Sequence, residues 1–177
     1  MTPDTRPGAQ SARGFSLLET VFALSLLMVV AIGLLPLGVV ATTTTENQGH
    51  LMARTTEYAQ DKMEQLLALS FNDSTSDTRL FPATDTGGTG LAVGGSAVAA
   101  SPVAKYVDYL DVNGSLLASS GTTAPTNWYY KRVWSVALVS GSTTMKKVTV
   151  TAVTKNAVGS TGRAPTATVS SVKTYPF

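Results

Sequence analysis

Residues 15–41 read FSLLETVFALSLLMVVAIGLLPLGVVA and contain one charged side chain, Glu19. From Thr20 to Ala41 the chain has 22 consecutive uncharged residues. A helix rises about 1.5 Å per residue, so these residues span roughly 33 Å, enough to cross a bilayer core of about 30 Å. The segment is therefore predicted to be a membrane-spanning helix.

The residues before this segment have a different character. Residues 1–14, MTPDTRPGAQSARG, are polar and contain prolines and glycines that disfavour a stable helix. Arg6 and Arg13 precede the span, and positive charge tends to stay on the cytoplasmic side of a membrane. The N-terminus is thus predicted to be cytoplasmic, and everything after Ala41 to be periplasmic or extracellular.

Three interpretations of the apolar segment compete. It is an ordinary anchor helix, a secretory signal cleaved after Val39–Ala41, or a helix in which Glu19 has a function. A carboxylate costs about 2.5–3.5 kcal/mol at the bilayer centre and less near the interface. Only the third interpretation explains why the chain carries that cost.

Residues 13–19, RGFSLLE, resemble the prepilin peptidase site of type IV pilins and type II secretion pseudopilins. The resemblance implies cleavage of the leader after Gly14 and N-methylation of the new N-terminal residue, Phe15. Glu19 then matches the glutamate that the family has as the fifth residue of the mature chain. Pro36 falls where many pilins have a helix-kinking proline.

Cleavage after Gly14 would give Glu19 a physical role. It creates a positively charged amine at Phe15, one helical turn away, and in a filament core that amine can pair with the carboxylate of a neighbouring subunit. Such a pair is desolvated, so loss of one partner should cost about 3–5 kcal/mol. Glu19 is therefore predicted to set the axial register between subunits.

The helical pattern continues beyond the apolar segment, and one helix is expected from about Ser16 to Ser70. Gly33, Pro36 and Gly38 lie close together and either loosen this helix or only fit a crowded crossing. Small and apolar residues then recur at spacings of three and four, which predicts packing on one side. This stripe consists of Met52, Thr55, Ala59, Met63, Leu66 and Ser70.

The C-terminal part is rich in strand signals. Lys105–Val112 and Ser115–Ala118 flank an Asn-Gly dipeptide, which predicts a hairpin with a type I′ turn. Trp128–Val139, Met145–Thr154 and Pro165–Thr174 are further predicted strands. The predicted fold is α+β: a long N-terminal helix, transmembrane in its first half and amphipathic in its second, packed on a small antiparallel β-sheet head.

A Gly-, Ala-, Ser- and Thr-rich connection, long for a compact domain, separates the helix from the strands. The predicted parts of the chain are a leader (1–14), a transmembrane or filament-core helix (15–41), its amphipathic continuation (42–71), the loop (72–102) and the β head (103–177).

Charge is divided unevenly along the chain. Residues 15–111 carry ten acidic and four basic side chains, and residues 112–177 carry seven basic and no acidic ones. The basic half either confers solubility or contacts an anionic partner. The candidate surface for such a partner consists of Lys131, Arg132, Lys146 and Lys147. Nucleic-acid binding would need exposed aromatic rings beside these cations, and strand alternation instead favours core packing of Tyr130 and Trp134.

Residue types that commonly carry catalysis or bind metals are scarce. The chain has no cysteine and one histidine, His50, so a thiolate metal site is excluded and a histidine-based triad or zinc site is not expected. Asp108 and Asp111 lack the spacing of an EF-hand, and the glycine pairs lack the other residues of a phosphate loop. No enzymatic activity, cofactor or metal is predicted.

Residues 58–66 and the alternation that begins at Tyr130 are similar to PilV-like minor pilins, and a major pilin would commonly have a disulfide. The resemblance therefore implies a minor pilin, held in the inner membrane with its head in the periplasm before it enters an extracellular pilus. Its partners would be the lipid bilayer, a prepilin peptidase, an inner-membrane assembly platform and other pilin subunits. One alternative is a minor pseudopilin of a type II secretion system, in a periplasmic pseudopilus. Another is a secreted or anchored binding protein, starting at Thr42 if secreted, with a basic head for which DNA is one candidate ligand.

Overall fold

The longest element is α1, a helix of 52 residues from Leu17 to Ala68. The computed structural model describes residues 16–80, 87–118, 121–156 and 164–175. Two compact units, Met1–Thr43 and Thr44–Phe177, make up the chain, and α1 contributes residues to both. The predicted cleavage site at Gly14 and Phe15 lies outside the described residues.

By length and composition, α1 is the one helix among the described residues that could cross a membrane. Its ends differ by only one or two residues from the predicted Ser16 and Ser70. Pro36 lies inside the helix, which continues through it without a break. The kink expected at Pro36 stays a prediction.

The second unit contains an antiparallel sheet. Within the described residues its strands are β1 (Gly94–Gly95), β2 (Val107–Leu110), β3 (Leu116–Leu117), β4 (Tyr130–Leu138), β5 (Met145–Thr154) and β6 (Thr166–Thr174). Five of them follow the order β3-β2-β4-β5-β6, and β1 pairs with β4. The long strands β4 and β5 therefore form the centre of the sheet.

The C-terminal part of α1 packs on one face of this sheet. Its side chains join residues of β4 and β5 in a core that water does not reach. The core consists of Ala59, Met63, Leu66, Leu69, Leu91, Tyr106, Trp134, Val136, Val148, Val150 and Ala152. A long N-terminal helix on an antiparallel sheet is the predicted α+β fold, which the structure confirms.

The buried stripe of α1 differs from the predicted one in three residues. Met52 is 46 % exposed and Ser70 is exposed, so the stripe is shorter at both ends. Lys62 is fully buried, although its charge suggests a place beside the stripe. The other predicted members, Thr55, Ala59, Met63 and Leu66, are buried.

The hairpin of β2 and β3 pairs as predicted but has a different turn. A type I′ turn needs positive φ at both Asn113 and Gly114, and of the two only Gly114 has it, at +85°. The Asp111 carboxylate accepts the backbone N–H groups of Asn113 and Ser115, both at 2.8 Å. These bonds stabilise a longer loop, so the type I′ prediction is wrong.

Part of the connection between α1 and β2 is packed on the second unit. Leu91 is fully buried, and β1 lies against the centre of β4. Gly95 has φ +80°, and a Cβ there would lie 2.3 Å from the Trp134 carbonyl oxygen. Only glycine therefore allows the chain to pass this close to β4.

Candidate functional site

The first candidate site is the surface of α1 between Leu17 and Val40, called here the apolar surface. All sixteen Leu, Val, Ile, Met and Phe side chains in this stretch are more than half exposed. Soluble monomers rarely expose a contiguous apolar patch larger than a few hundred Å². Such a surface is stable against lipid chains or other apolar helices.

Hydroxyl side chains in and just beyond this stretch bond to the helix itself. Ser25 Oγ donates to the carbonyl oxygen of Val21 at 2.7 Å, and Thr20 Oγ1 donates to that of Leu17 at 2.8 Å. Thr42 and Thr43 bond in the same way to carbonyls one turn earlier. These bonds suit a lipid environment, in which polar groups must be satisfied internally.

Glu19, in the first turn of α1, is the one acid in this stretch. No described residue bonds to its carboxylate. Its backbone N–H donates to Ser16 Oγ at 3.2 Å, so Ser16 caps the helix. Ser and Glu at this spacing fit the sequence pattern of a capping box, but only the half in which Ser16 Oγ accepts the Glu19 N–H is formed. Sequence reasoning missed this cap at Ser16, although the spacing is readable.

The second candidate site is a group of four charged residues between α1 and the sheet: Asp61, Lys62, Asp108 and Arg132, called here the charge cluster. Asp108 on β2 accepts hydrogen bonds from Arg132 Nε and Nη2, both at 2.8 Å. Lys62 Nζ lies 2.9 Å from the same carboxylate. Arg132 Nη1 also lies 2.8 Å from Asp61. Two cations and two anions thus balance within one group.

Burial determines how the members of this cluster ionise. Lys62, Asp108 and Arg132 are at most 3 % exposed. Burial lowers the pKa of Lys62 to about 8, although the Asp108 carboxylate opposes the shift. Burial alone would raise the pKa of Asp108, but the charges of Arg132 and Lys62 outweigh it and hold that pKa below its usual range.

Lys62 has further contacts that explain why it can be buried. Its Nζ lies 4.3 Å from the centre of the Trp134 ring, a cation–π distance. The same group donates to the carbonyl oxygen of Thr78. A buried cation is stable only when such partners replace water. The cluster thus joins α1 to β2, β4 and the loop after the helix.

Two lysines of the strands bind backbone carbonyls near the end of α1. Lys173 Nζ donates to the carbonyl oxygens of Leu67 and Leu69. Lys146 Nζ donates to those of Phe71 and Leu91, at 2.5 and 2.8 Å. The last turn of α1 has no basic residue of its own. Lysines from the sheet therefore supply the positive charge that suits a helix C-terminus.

These contacts correct the predicted surface for an anionic partner. Arg132 is 3 % exposed and Lys146 is 8 % exposed, because both are held by internal acceptors. Lys147 is exposed, and Lys131 is partly buried with its Nζ 5.6 Å from the Trp128 ring. Arg132 and Lys146 are therefore removed from the proposed surface.

Aromatic residues near these cations are mainly structural. Tyr130 is 3 % exposed and Trp134 is fully buried. Tyr130 packs edge-on against Tyr58 of α1, with ring centres 4.7 Å apart. Rings held in this way cannot stack on nucleic-acid bases. The predicted core packing of these two rings is confirmed.

A pocket of about 360 Å³ lies beside the β2–β3 hairpin. Apolar side chains line most of it, together with the ion pair between Asp77 and Arg79 at 2.8 Å. Hydrogen bonds from Arg79 are the main cause that lowers the pKa of Asp77. Within the described residues no three His, Cys, Asp or Glu side chains are grouped so that they could hold a metal ion.

Sequence reasoning did not find the charge cluster, although one signal for it exists. Lys62 lies three residues after Ala59 and four before Leu66, on the apolar stripe itself. A lone cation in such a position indicates a buried acceptor. The identity of that acceptor, Asp108, depends on tertiary structure and cannot be read from spacing.

Comparisons of this chain with protein-family models, with curated proteins and with solved structures gave no match.

Proposed function

We propose that the chain is a minor pilin, a structural subunit that enters a type IV pilus or its tip complex through α1. The observation that carries the proposal is the apolar surface, which is exposed around the helix and contains one acid, Glu19, in its first turn. Such a helix needs lipid or neighbouring helices, and its acid needs a cation from elsewhere. Residues 13–19 supply that cation in the form of a new N-terminus.

In this proposal a prepilin peptidase cuts the chain after Gly14, and the amine of Phe15 is methylated. Before assembly the apolar surface is covered by the inner membrane, with the second unit in the periplasm. An assembly platform then transfers the subunit to the filament, where neighbouring helices replace the lipid. The amine of one subunit pairs with Glu19 of another and fixes the step between them.

The second unit has the role of a folded head in this proposal. Its buried charges are paired within the chain, and it needs no partner to complete its core. It presents a surface on the filament and carries out no chemistry. This division agrees with a structural subunit whose helix holds the head in place.

Substitutions of Glu19 test the proposal. Glu19→Gln keeps the shape and the capacity to accept a hydrogen bond at the helix start but removes the charge, whereas Glu19→Ala removes both. If Glu19 pairs with an amine, both variants should be cleaved normally and enter filaments at least about tenfold less than wild type, since loss of a buried partner costs about 3–5 kcal/mol. The measurement is the ratio of filament-bound to membrane-bound subunit on immunoblots.

A capping role gives a different pattern. Glu19→Gln would then assemble like wild type while Glu19→Ala is impaired, and the pairing would be refuted. Ser16→Ala is the matched control, because it removes the helix cap and leaves the charge. Deletion of the gene distinguishes a pilus from a secretion pseudopilus. Loss of fibres or twitching would indicate a pilus, and secreted enzymes retained in the periplasm would indicate a pseudopilus.

A further inference from the structure

The face of the sheet that points away from α1 has a group of one aromatic and two basic side chains, called here the Trp128 cluster: Trp128, Lys131 and Lys155. Arg132 of β4 points toward α1, and side chains alternate along a strand, so Lys131 points to the opposite face. Trp128 packs on that face against Tyr109 of β2, with ring centres 5.9 Å apart. The cluster therefore lies on the outer side of the second unit.

Both lysines of the Trp128 cluster lie over the same indole ring. Lys131 Nζ is 5.6 Å and Lys155 Nζ is 5.5 Å from the ring centre, and both are cation–π distances. The two ammonium groups are thus at most about 11 Å apart, which is the sum of these distances. Neither lysine forms an ion pair with a described residue. Two like charges are therefore held near each other without an anion between them.

Lys131 differs from the other lysines that burial affects. Burial lowers the pKa values of Lys131, Lys62, Lys146 and Lys173. The last three donate to backbone carbonyl oxygens, which replace the water that these cations lose. In the described part of the chain Lys131 Nζ has no such acceptor, and no carboxylate opposes the shift of its pKa. A partly buried cation of this kind favours an acceptor from outside the chain.

The charge of the Trp128 cluster indicates which acceptor fits. Residues 112–177 contain no acidic side chain, so none within this stretch competes for the two lysines. Lysine commonly binds phosphate through its compact charge. A phosphomonoester carries about −1.5 to −2 charge at pH 7, which matches two ammonium groups. A carboxylate or a phosphodiester has only one negative charge and matches them less well.

We propose that the Trp128 cluster binds a phosphomonoester group, with Lys131 and Lys155 each donating hydrogen bonds to its oxygens. Lys155 Nζ already donates to the Thr126 carbonyl oxygen at 3.1 Å, which keeps this lysine near the ring. The flexible stems of both lysines allow the two ammonium groups to close on one anion. No residue of α1 takes part, so this binding site is additional to the proposed role as a filament subunit.

The indole N–H signals in NMR spectra test the site directly. The chain has two tryptophans, and Trp134, which is fully buried, is the internal control for Trp128. In the isotope-labelled full chain in detergent micelles, glycerol phosphate at constant ionic strength should shift the signal of Trp128 and leave that of Trp134 unchanged. A Trp128 signal that does not move would overturn the proposal.

Related anions show whether the phosphate group and its charge are recognised. Inorganic phosphate has the same charge as glycerol phosphate and should bind as well, because the cluster contacts the phosphate group alone. Acetate and dimethyl phosphate, each with one negative charge, should bind at least about tenfold more weakly. Equal binding of acetate would contradict a site for a doubly charged anion.

Substitutions distinguish the Trp128 cluster from general surface charge. Lys131→Gln and Lys155→Gln should each weaken phosphate binding by at least about tenfold, because each removes a charged donor. Lys147→Gln is the matched control. Lys147 is exposed and pairs with Ala137, which lies on the same face of the sheet as Lys131, and its loss should leave the affinity unchanged.

Lys131→Arg keeps the positive charge and should keep close to wild-type affinity. All four variants should also keep the wild-type urea midpoint, so that lost binding is not lost folding. If Lys147→Gln weakens binding as much as Lys131→Gln, the effect is diffuse surface charge and the proposal fails. If Lys131→Arg loses as much affinity as Lys131→Gln, packing rather than charge is responsible, and the proposal also fails. None of these changes touches Glu19, so the outcome is independent of the assembly test on the apolar helix.

Discussion

The charged side chains of the two compact units differ in whether they have partners of opposite charge. In the second unit, Lys62, Asp108 and Arg132 are buried, and each has a partner of opposite charge within 2.9 Å. In the first unit, Glu19 lies in an apolar helix, and no described residue bonds to its carboxylate. Among the described residues, the buried charges of the second unit are therefore paired within one chain, whereas the carboxylate of Glu19 is not. This contrast is the basis of the proposal that the chain is a structural subunit.

The largest expected effect follows from removal of the shared acid of the charge cluster. Asp108→Asn leaves Lys62 and Arg132 buried without their common anion, which should destabilise the head by about 3–5 kcal/mol. Urea unfolding of the full chain in detergent, followed by tryptophan fluorescence, measures this loss. Asp61→Asn is the control, since Asp61 is 53 % exposed and should matter far less. Equal effects of the two variants would contradict a buried, self-sufficient cluster.

The pH dependence of stability also tests the burial of the charge cluster. Because the pKa of Lys62 is about 8 in the folded state and 10.5 ordinarily, the unfolded chain binds more protons between these values. The free energy of unfolding should therefore rise from about pH 8 to 10.5, by on the order of 2–3 kcal/mol. Asp108 has a lowered pKa, so its contribution is present above about pH 4 and is lost as the pH falls through its folded value.

Urea midpoints at several pH values test these slopes. Lys62→Met should remove most of the rise above pH 8 while the loss in acid remains; burial also lowers the pKa values of Lys131, Lys146 and Lys173, which keep a smaller rise. A wild-type urea midpoint that falls steadily from pH 8 to 10 would show that the pKa of Lys62 is not lowered in the folded state. Charge attraction within the cluster would then outweigh the effect of burial on Lys62.

A smaller effect separates buried from exposed lysines on the same strand. Lys146→Met leaves the carbonyls of Phe71 and Leu91 without their donor, which should cost about 1–3 kcal/mol. Lys147→Met, one residue further on, removes an exposed cation and should change stability by less than about 0.5 kcal/mol. Similar losses of stability for the two variants, measured by urea unfolding, would indicate that Lys146 is part of the exposed basic surface.

The sequence predicts the elements of this fold well because local periodicity determines them. An uncharged run of 22 residues specifies the apolar helix, and alternation specifies β4, β5 and β6. The turn between β2 and β3 was harder to predict, because the Asp111 side chain competes for backbone donors that an Asn-Gly turn would leave free. The turn propensity of Asn113 and Gly114 did not outweigh the hydrogen bonds that the nearby Asp111 carboxylate accepts.

The two candidate sites also differ in how well the sequence predicts them. Glu19 stands out in the sequence because an acid in an apolar run is costly wherever the run inserts. The charge cluster does not, because Asp108 and Arg132 are 24 residues apart and meet only through strand pairing. Arg132 and Lys146 therefore resemble surface cations in the sequence and are buried in the fold.

The most direct test of the central proposal is the intact mass of the protein recovered from membranes and filaments, with N-terminal sequencing. We expect a mature chain that begins at N-methylated Phe15, which creates the amine that Glu19 needs. A chain that retains residues 1–14, or one that begins at Thr42, would lack that amine or the whole apolar helix. Either result would contradict assembly through a pairing of Phe15 and Glu19.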